Sequence, residues 1–244
     1  MLVAAIGNAG CTHDIHLAPA PPLAAATTTT GPWASMIFAA RTDSGVVVID
    51  LGWTGADKAL RSLLTQLGAT TADVRWTFLT HAHRDHIGAW RTVQASTLVL
   101  GRDEIPFFTG SARYTGLVPR IGDRLVSYPH PGKGELRLLP IATDTAFVLG
   151  RDTLRAFPVP GHTAGSTVYL FRETLFAGDA VNWRVTSGFR GARSEYSDDP
   201  KRSRASLASL LRRIDSAGVR WRVLCTAHGK CGLADSTLRA RILR

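Results

Sequence analysis

The stretch "THAHRDHIGAW" (Thr80–Trp90) places three of the chain's eight histidines and an aspartate within six consecutive positions. Each buried imidazole needs a hydrogen-bond partner of its own, so His81, His83 and His86 are too closely spaced for ordinary core packing. The cluster is therefore either a solvated polar loop or a metal-binding segment. It directly follows "VRWTFL", whose β-branched and aromatic residues predict a strand, and strand ends are a usual place for functional residues.

Further residues of the same chemical kinds lie far along the chain, again after predicted strands. His162 occurs in "PGHTAGST", Asp179 ends "LFAGD" and His228 occurs in "TAHGK". Five of the eight histidines, together with Asp85 and Asp179, thus fall at strand-to-loop junctions. A solvated loop does not explain that distribution, and a metal site does.

The residues suggest two ligand sets. Alternate side chains of an extended segment leave the backbone on the same side, so the first two histidines of the cluster can face one ion. Three imidazoles form the ligand set of an open zinc site, and a carboxylate can bridge two ions. The predicted sets are His81, His83 and His162 for one ion, Asp85, His86 and His228 for a second, and Asp179 between them.

Each half of the chain reads as strands followed by a helix. Leucines at helical spacing predict a helix over residues 60–67, and Asp199 followed by Pro200 predicts the start of another that ends at Gly218. Residues 101–141 contain several Gly and Pro and predict a long loop with short elements. No run of about eighteen apolar residues occurs.

The pattern resembles the metallo-β-lactamase superfamily, including its glyoxalase II-like hydrolases, from about residue 31 onward. The HxHxDH motif is intact, and the later histidine, GD and histidine elements follow in the family's order. The resemblance implies an α/β fold, a four-layer αβ/βα sandwich, formed as one domain over residues 31–244. It also implies that the seven residues of the two ligand sets bind metal, and that Asp50, after "VVVI", supports the site by holding a ligand.

Two metal ions held in this way imply hydrolysis by an activated water. Asp85 is the predicted catalytic residue, because it can orient the water and carry a proton. Zinc is the expected metal, with iron or manganese as alternatives, since these ligands do not discriminate sharply. A phosphodiesterase or nuclease of the same superfamily and a mononuclear-iron sulfur dioxygenase remain alternative activities, and a non-catalytic metal-binding protein is the alternative outside enzymes.

The segment "NWRVTSGFRGARSEY" after Asp179 is the predicted substrate loop. An arginine fork can grip a carboxylate and aromatic rings can pack an acyl group. Such a loop suits a small anionic acyl substrate, namely a thioester, lactone or β-lactam. The alternative is a solvent-exposed, arginine-rich loop. The candidate contacts are Trp183, Arg184, Arg190 and Tyr196.

Residues 1–30 are predicted to be a signal-like or disordered segment outside the fold. Small residues before Cys11 resemble the end of a bacterial lipoprotein signal, so both an exported, periplasmic lipoprotein and a cytoplasmic protein are considered. Membrane attachment is predicted only through lipid at that cysteine.

In an oxidising compartment Cys225 and Cys231 could form a disulfide, and two free thiols are the alternative. The net charge of +10 comes from dispersed arginines, so the predicted partner is a small molecule and not nucleic acid. No oligomeric state is predicted.

Overall fold

The first half of the chain forms a six-stranded mixed β-sheet. The computed structural model describes residues 23–30 and 33–243. The strands lie side by side in chain order, antiparallel from the first to the third and parallel from the third to the sixth. They are β1 (Leu23–Thr30), β2 (Trp33–Thr42), β3 (Gly45–Ile49), β4 (Val74–Phe78), β5 (Thr97–Gly101) and β6 (Arg137–Ile141).

The second half forms another six-stranded sheet and a separate two-stranded hairpin. Its strands are β7 (Thr145–Leu149), β8 (Asp152–Pro158), β9 (Thr167–Phe171), β10 (Thr174–Phe176), β11 (Val181–Arg184), β12 (Gly188–Gly191), β13 (Val223–Cys225) and β14 (Cys231–Leu233). The sheet has the order β14-β13-β10-β9-β8-β7, and β11 pairs with β12 outside it. Only β10 and β13 pair in parallel within this sheet.

Helices accompany the two sheets. They are α1 (Asp57–Gln66), α2 (Ile105–Phe108), α3 (Leu117–Leu125), α4 (Pro200–Ser216) and α5 (Ser236–Ile242). Of these, α1, α4 and α5 pack on the outer faces of the sheets. The two helices predicted from leucine spacing are confirmed as α1 and α4. At the start of α4, the Asp199 side chain accepts a hydrogen bond from the Arg202 backbone N–H, which is the expected N-cap. Among the described residues, no helix is long and apolar enough to cross a membrane.

Three layers of buried apolar side chains give the molecule its four-layer order. The central layer, which includes Phe38, Phe78 and Phe176, lies between the two sheets. One outer layer joins the first sheet to the leucines of α1, and the other joins the second sheet to α4 and α5. The order is helix, sheet, sheet, helix. The predicted αβ/βα sandwich is confirmed.

The folded part begins earlier than the sequence indicated. The predicted boundary excluded residues 1–30, yet residues 23–30 form β1 and pair with β2 along their whole length. The Thr28 hydroxyl accepts a hydrogen bond from the Trp53 backbone N–H, which ties this strand to the rest of the sheet. Residues 1–22, including Cys11 of the predicted signal, lie outside the described residues.

One segment predicted as a loop is a hairpin of two strands, and the middle segment, predicted as a long loop with short elements, contains such elements. The sequence after Asp179 forms the β11–β12 hairpin, and the middle segment contains α3 and ends in β6. Neither β6 nor β12 has a clear run of buried residues, because each of them lies mostly at the protein surface. Their sequences therefore lack the alternation that predicts a strand.

Candidate metal centre

The predicted ligands follow strands that all end at one edge of the sandwich. The carboxyl ends of β3 and β4 lie at the same edge of the first sheet because these strands are parallel. In the second sheet β8, β10 and β13 also share one direction. Gly178 allows two of these loops to meet: its φ is 51°, and a Cβ there would lie 2.6 Å from the Cβ of Thr80.

Asp50 organises the first of these loops from behind. Its carboxylate accepts hydrogen bonds from the Thr80 backbone N–H and hydroxyl, both at 2.8 Å. It also accepts a hydrogen bond from Nδ1 of His86 at 2.9 Å. Asp50 is buried and has a φ of 56°, a left-handed conformation that Asp tolerates better than most residues. The residue therefore has the contacts that were expected of a group that holds a ligand.

Three histidines converge at one side of the centre. Nε2 of His81 lies 2.9 Å from Nδ1 of His83 and 3.2 Å from Nε2 of His162. Nδ1 of His83 and Nε2 of His162 are also 3.2 Å apart. All three side chains are buried, and the other ring nitrogen of His83 has no hydrogen-bond partner among the described residues.

The other predicted ligands surround an adjacent point. Oδ2 of Asp85 lies 3.6 Å from Nε2 of His86 and 3.4 Å from Nε2 of His228. Asp179 lies between the two groups: its carboxylate oxygens are 3.1 Å from His228, 3.9 Å from His86 and 3.6 Å from His162. The structure thus brings all seven predicted ligands together, and the donor atoms within each set of three lie within 4.8 Å of one another.

The outer hydrogen bonds assign the protons of His81 and His162. The Thr80 hydroxyl donates its proton to Asp50, so it accepts from Nδ1 of His81 at 3.1 Å. In the same way the Ser197 hydroxyl donates to a backbone carbonyl and accepts from Nδ1 of His162. A neutral imidazole carries one proton, so the Nε2 atoms of both rings present lone pairs to each other. Two lone pairs at 3.2 Å call for a cation between them.

The same reasoning applies to His86 and His228. Nδ1 of His86 donates to the Asp50 carboxylate, and Nδ1 of His228 donates to the carbonyl of Ala34. Their Nε2 atoms therefore face the centre. Without metal, Nε2 of His228 donates its proton to the Asp179 carboxylate at 3.1 Å, and a metal ion that displaces this proton would meet the lone pair. A centre lined by lone pairs and carboxylate oxygens fits divalent metal ions with nitrogen and oxygen ligands, such as zinc.

The pKa values of these groups agree with their surroundings. Burial, reinforced by the neighbouring imidazoles, lowers the pKa of His81 and of His83 well below 6.5. Burial alone would lower the pKa of His228, but the Asp179 carboxylate raises it to about 10. Burial alone would raise the pKa of Asp179, but His228 and the other imidazoles hold it well below its ordinary value. Without metal, a proton on His228 supplies the missing positive charge.

Glu104 is a site residue that the sequence analysis missed. Its fully buried carboxylate accepts hydrogen bonds from the backbone N–H of Ala82 at 2.9 Å and of Gly165 at 2.8 Å, and from the Tyr114 hydroxyl at 2.8 Å. It therefore joins the loop of the first histidines to the loop that follows His162. Its place just after a buried strand was the available signal, but "GRDE" reads as a surface run of charges.

A disulfide closes the loop that carries the last ligand. Cys225 at the end of β13 is bonded to Cys231 at the start of β14, so the structure has the disulfide rather than two free thiols. His228 and Lys230 lie between these cysteines. The Thr226 backbone N–H also donates to the Lys230 carbonyl at 3.1 Å across the same loop.

A cavity of about 250 Å³ opens beside Asp179 and His228. Of the four predicted substrate contacts, Trp183 and Tyr196 line it, whereas Arg184 and Arg190 are not among its lining residues. Arg184 is exposed near the hairpin turn, and the Arg190 guanidinium donates to the carbonyl of the preceding residue. The cations in the wall, which the prediction did not select, are Arg193 and Lys230.

The curated proteins that this chain resembles in sequence include hydrolases. A probable polyketide biosynthesis zinc-dependent hydrolase of Bacillus velezensis is 24% identical over 166 residues, which cover 67% of this chain and 61% of that protein. A hydroxyacylglutathione hydrolase of Anaeromyxobacter dehalogenans is 28% identical over 141 residues, covering 58% and 44%. The chain thus matches less than two thirds of the length of these curated relatives.

Solved structures share the fold. A subclass B3 metallo-β-lactamase of Bradyrhizobium japonicum superposes with a TM-score of 0.57 at 22% identity, covering 80% of this chain and 71% of that one. A metallo-β-lactamase family protein from Thermus thermophilus gives 0.63 at 22% identity, covering 92% and 78%. The family model described as the metallo-beta-lactamase superfamily matches residues 30–216. Since that match covers well over half of the chain, from β2 to α4, the protein belongs to the metallo-β-lactamase superfamily.

Proposed function

We propose that the protein is a zinc-dependent hydrolase that holds two metal ions and cleaves a small anionic acyl substrate. The observation that carries the proposal is the convergence of five imidazoles and two carboxylates, with Nδ1 of four of these rings hydrogen-bonded away from the centre. The names of the curated relatives, a zinc-dependent hydrolase and a hydrolase of hydroxyacylglutathione, support both the metal and the acyl substrate.

Zinc bound by these residues would lower the pKa of a water and stabilise negative charge on a substrate oxygen. Asp85 is placed to handle the proton of that water. Its side chain is 15% exposed, and its Oδ2 lies between the buried imidazole of His86 and that of His228, which is 25% exposed. The carboxylate can accept a hydrogen bond from the attacking water, orient it and take its proton.

The cavity wall supports an anionic substrate. The Lys230 ammonium lies 4.4 Å from the centre of the Trp183 ring, and the Arg193 guanidinium lies 5.1 Å from that of Tyr196. Each cation thus stands beside an aromatic face, which can hold it in place through a cation–π interaction. A substrate carboxylate would pair with Lys230, since the Arg193 guanidinium already pairs with Glu195 at 2.7 Å, while its acyl part packs on the rings.

The test is an activity screen of the metal-loaded protein. Thioesters, lactones and β-lactams are offered as free carboxylates and as neutral esters, together with a phosphodiester and a persulfide. We expect two bound metal equivalents and hydrolysis of one acyl class, with H81A and H228A each abolishing it. Because the ligands act as a unit, the double variant should be little worse than either single one. Preference for the phosphodiester, or oxygen uptake with the persulfide and one iron, would replace the proposal with the corresponding alternative.

The anionic preference has its own variants. K230Q should raise the Michaelis constant for the carboxylate form and leave that for the neutral ester nearly unchanged, because it removes ground-state binding of a charge. R184Q is the matched control, since it removes one positive charge from the same surface outside the cavity lining. Equal Michaelis constants of the wild-type protein and K230Q for the carboxylate would remove Lys230 from the substrate site.

A further inference from the structure

Helix α3 turns an apolar stripe toward solvent. Leu117, Ile121 and Leu125 are spaced four residues apart, so they lie along one face of the helix. They are 53%, 47% and 78% exposed, and Val126 continues the stripe at 52%. None of the α3 residues is buried, although the helix lies on a folded domain. Exposed apolar side chains that are contiguous, rather than scattered, mark an interaction surface.

Arginines border this stripe. Arg120 and Arg124 directly precede two residues of the stripe in sequence, so they lie beside it on the solvent side of α3. Both arginines are exposed. Asp123, the only acidic residue of α3, is on the other side and only partly exposed, where it interacts with Arg113 and with Arg84. The outer face of the helix is therefore apolar and cationic.

The inner side of α3 is fixed to the wall of the metal centre. The Gly122 carbonyl accepts a hydrogen bond from Arg84, which lies between two of the ligands in sequence. The Gly116 backbone N–H donates to Asp198 at 2.7 Å, and a Cβ at this glycine would lie 3.1 Å from the carbonyl oxygen of Tyr196. Since Tyr196 lines the cavity, the start of α3 lies next to the cavity wall.

We propose that this face of α3 docks the protein on a lipid bilayer that carries anionic headgroups. An interfacial helix has this arrangement: apolar side chains enter the acyl boundary while flanking arginines pair with lipid phosphates. Arginine suits the border because its aliphatic stem can lie on the apolar surface and its charge can reach the headgroups. The surplus of positive charge over the whole chain favours the same kind of surface. Docking here would bring the helix that adjoins the cavity wall to the membrane.

Binding to vesicles tests the proposal independently of catalysis. The full-length protein is used with C11S in every sample, so that lipid attached to this cysteine cannot contribute. It is sedimented with vesicles of phosphatidylcholine alone, or of equal parts phosphatidylcholine and phosphatidylglycerol, at low and high salt. We expect binding to the anionic vesicles that weakens as salt rises.

Two variants and a control assign the binding to α3. R120Q/R124Q should weaken partitioning by about 25-fold, because each basic residue near an anionic surface contributes about fivefold. L117S/I121S should weaken it by about tenfold or more, since two side chains lose their transfer into the acyl region. R204Q/R212Q removes the same charge from exposed positions of α4 and should bind as the wild-type protein does. Unchanged melting temperatures would show that the variants are folded.

Several results would overturn the proposal. One is that the wild-type protein does not bind anionic vesicles. Another is that the α4 control loses as much vesicle binding as the α3 arginine variant. A dimer that L117S/I121S converts to monomer would make the stripe a protein interface instead. A raised Michaelis constant for this variant with unaltered vesicle binding would make it part of the substrate site.

Discussion

Asp50 shows how one residue can set the geometry of a metal centre without facing it. Its two oxygens fix the backbone and hydroxyl of Thr80 and the ring of His86, and through Thr80 they also determine which nitrogen of His81 carries the proton. The left-handed backbone at Asp50 is the local cost of turning the carboxylate into this position. Orientation and tautomer of two ligands therefore depend on a single carboxylate.

We predict that D50N weakens metal binding or activity by about 10- to 100-fold. An amide can accept from only one side, and its NH2 group would face the N–H of His86 or the donors of Thr80. Competition with a chromophoric chelator measures the affinity. D73N is the control, because Asp73 caps a short helix on the surface. Metal affinity and turnover that are unchanged in D50N would leave Asp50 with only a structural role in its turn.

A second prediction concerns Glu104. In E104Q the side-chain volume is kept, but one of the three donors that meet the carboxylate is left facing another donor. A buried unsatisfied group costs about 1–3 kcal/mol, so the free energy of unfolding should fall by that amount. Because Glu104 holds the loop between His81 and His83, affinity at this side of the centre should fall too. Y114F, which removes one donor and leaves the other hydrogen bonds, should have a smaller effect on both. Urea unfolding and metal competition measure the two quantities, and an E104Q variant with normal values for both would contradict the prediction.

At the scale of elements, the sequence predicted what is local and missed what depends on distant partners. The helix α4 could be predicted because Asp199, Pro200 and the buried leucines all lie within it or directly before it. Strand β1 could not, because "LAAATTTT" has little hydrophobic pattern and becomes a strand only by pairing with β2. The hairpin β11–β12 was missed for a similar reason: its arginines and glycines read as loop, and none of β12 is fully buried.

The candidate site divides in the same way. All seven candidate ligands that the structure brings together could be named, since each chemical type stands at a strand end and the family order is intact. The cations of the cavity could not be chosen correctly from sequence, because the fold of the hairpin decides which arginines reach the wall. Lys230 belongs to a different loop altogether, and only the tertiary structure brings it to Trp183.

The loop between β13 and β14 carries a prediction of its own. Its disulfide has a sequence separation of six, and a closure of this length stabilises a fold by about 2 kcal/mol. We expect C225A/C231A to lower affinity for the metal ion held with His228 by about tenfold, because this ligand then sits on a freer loop. Affinity at the three-histidine side should stay the same. Stepwise titration with cobalt, followed by absorbance, separates the two events.

Reduction of the wild-type protein is the control for this variant, because it opens the loop without changing the volume of buried Cys225. Both treatments should give the same loss of affinity at the side of His228. If only the alanine variant shows it, packing around Cys225 and not loop closure holds the ligand. Equal loss at both sides of the centre would mean that the disulfide supports the whole fold.

For the whole molecule, the centre acts as a link between the two halves. The loop after β4 of the first sheet supplies Asp85 and three histidines, and the loops after β8, β10 and β13 of the second sheet supply the remaining candidate ligands. The sheets are also joined by a continuous layer of buried aromatic and aliphatic side chains. The metal-free protein should therefore keep its fold and lose only part of its stability.

We predict that removing the metal with a chelator lowers the melting temperature by about 10 °C. Metal present at a thousand times its dissociation constant stabilises the native state by about 4 kcal/mol, and each kcal/mol shifts the melting temperature of a chain of this size by about 2–4 °C. Near-UV circular dichroism should retain most of its intensity, because the buried layer between the sheets does not contain the ligands. Differential scanning calorimetry before and after chelation, with zinc added back, measures the shift and its reversal.

H228A should show a smaller shift than the wild-type protein, since it keeps the three-histidine side. Loss of the near-UV signal on chelation would show that the metal holds the halves together, and an unchanged melting temperature would show that the centre binds no metal tightly.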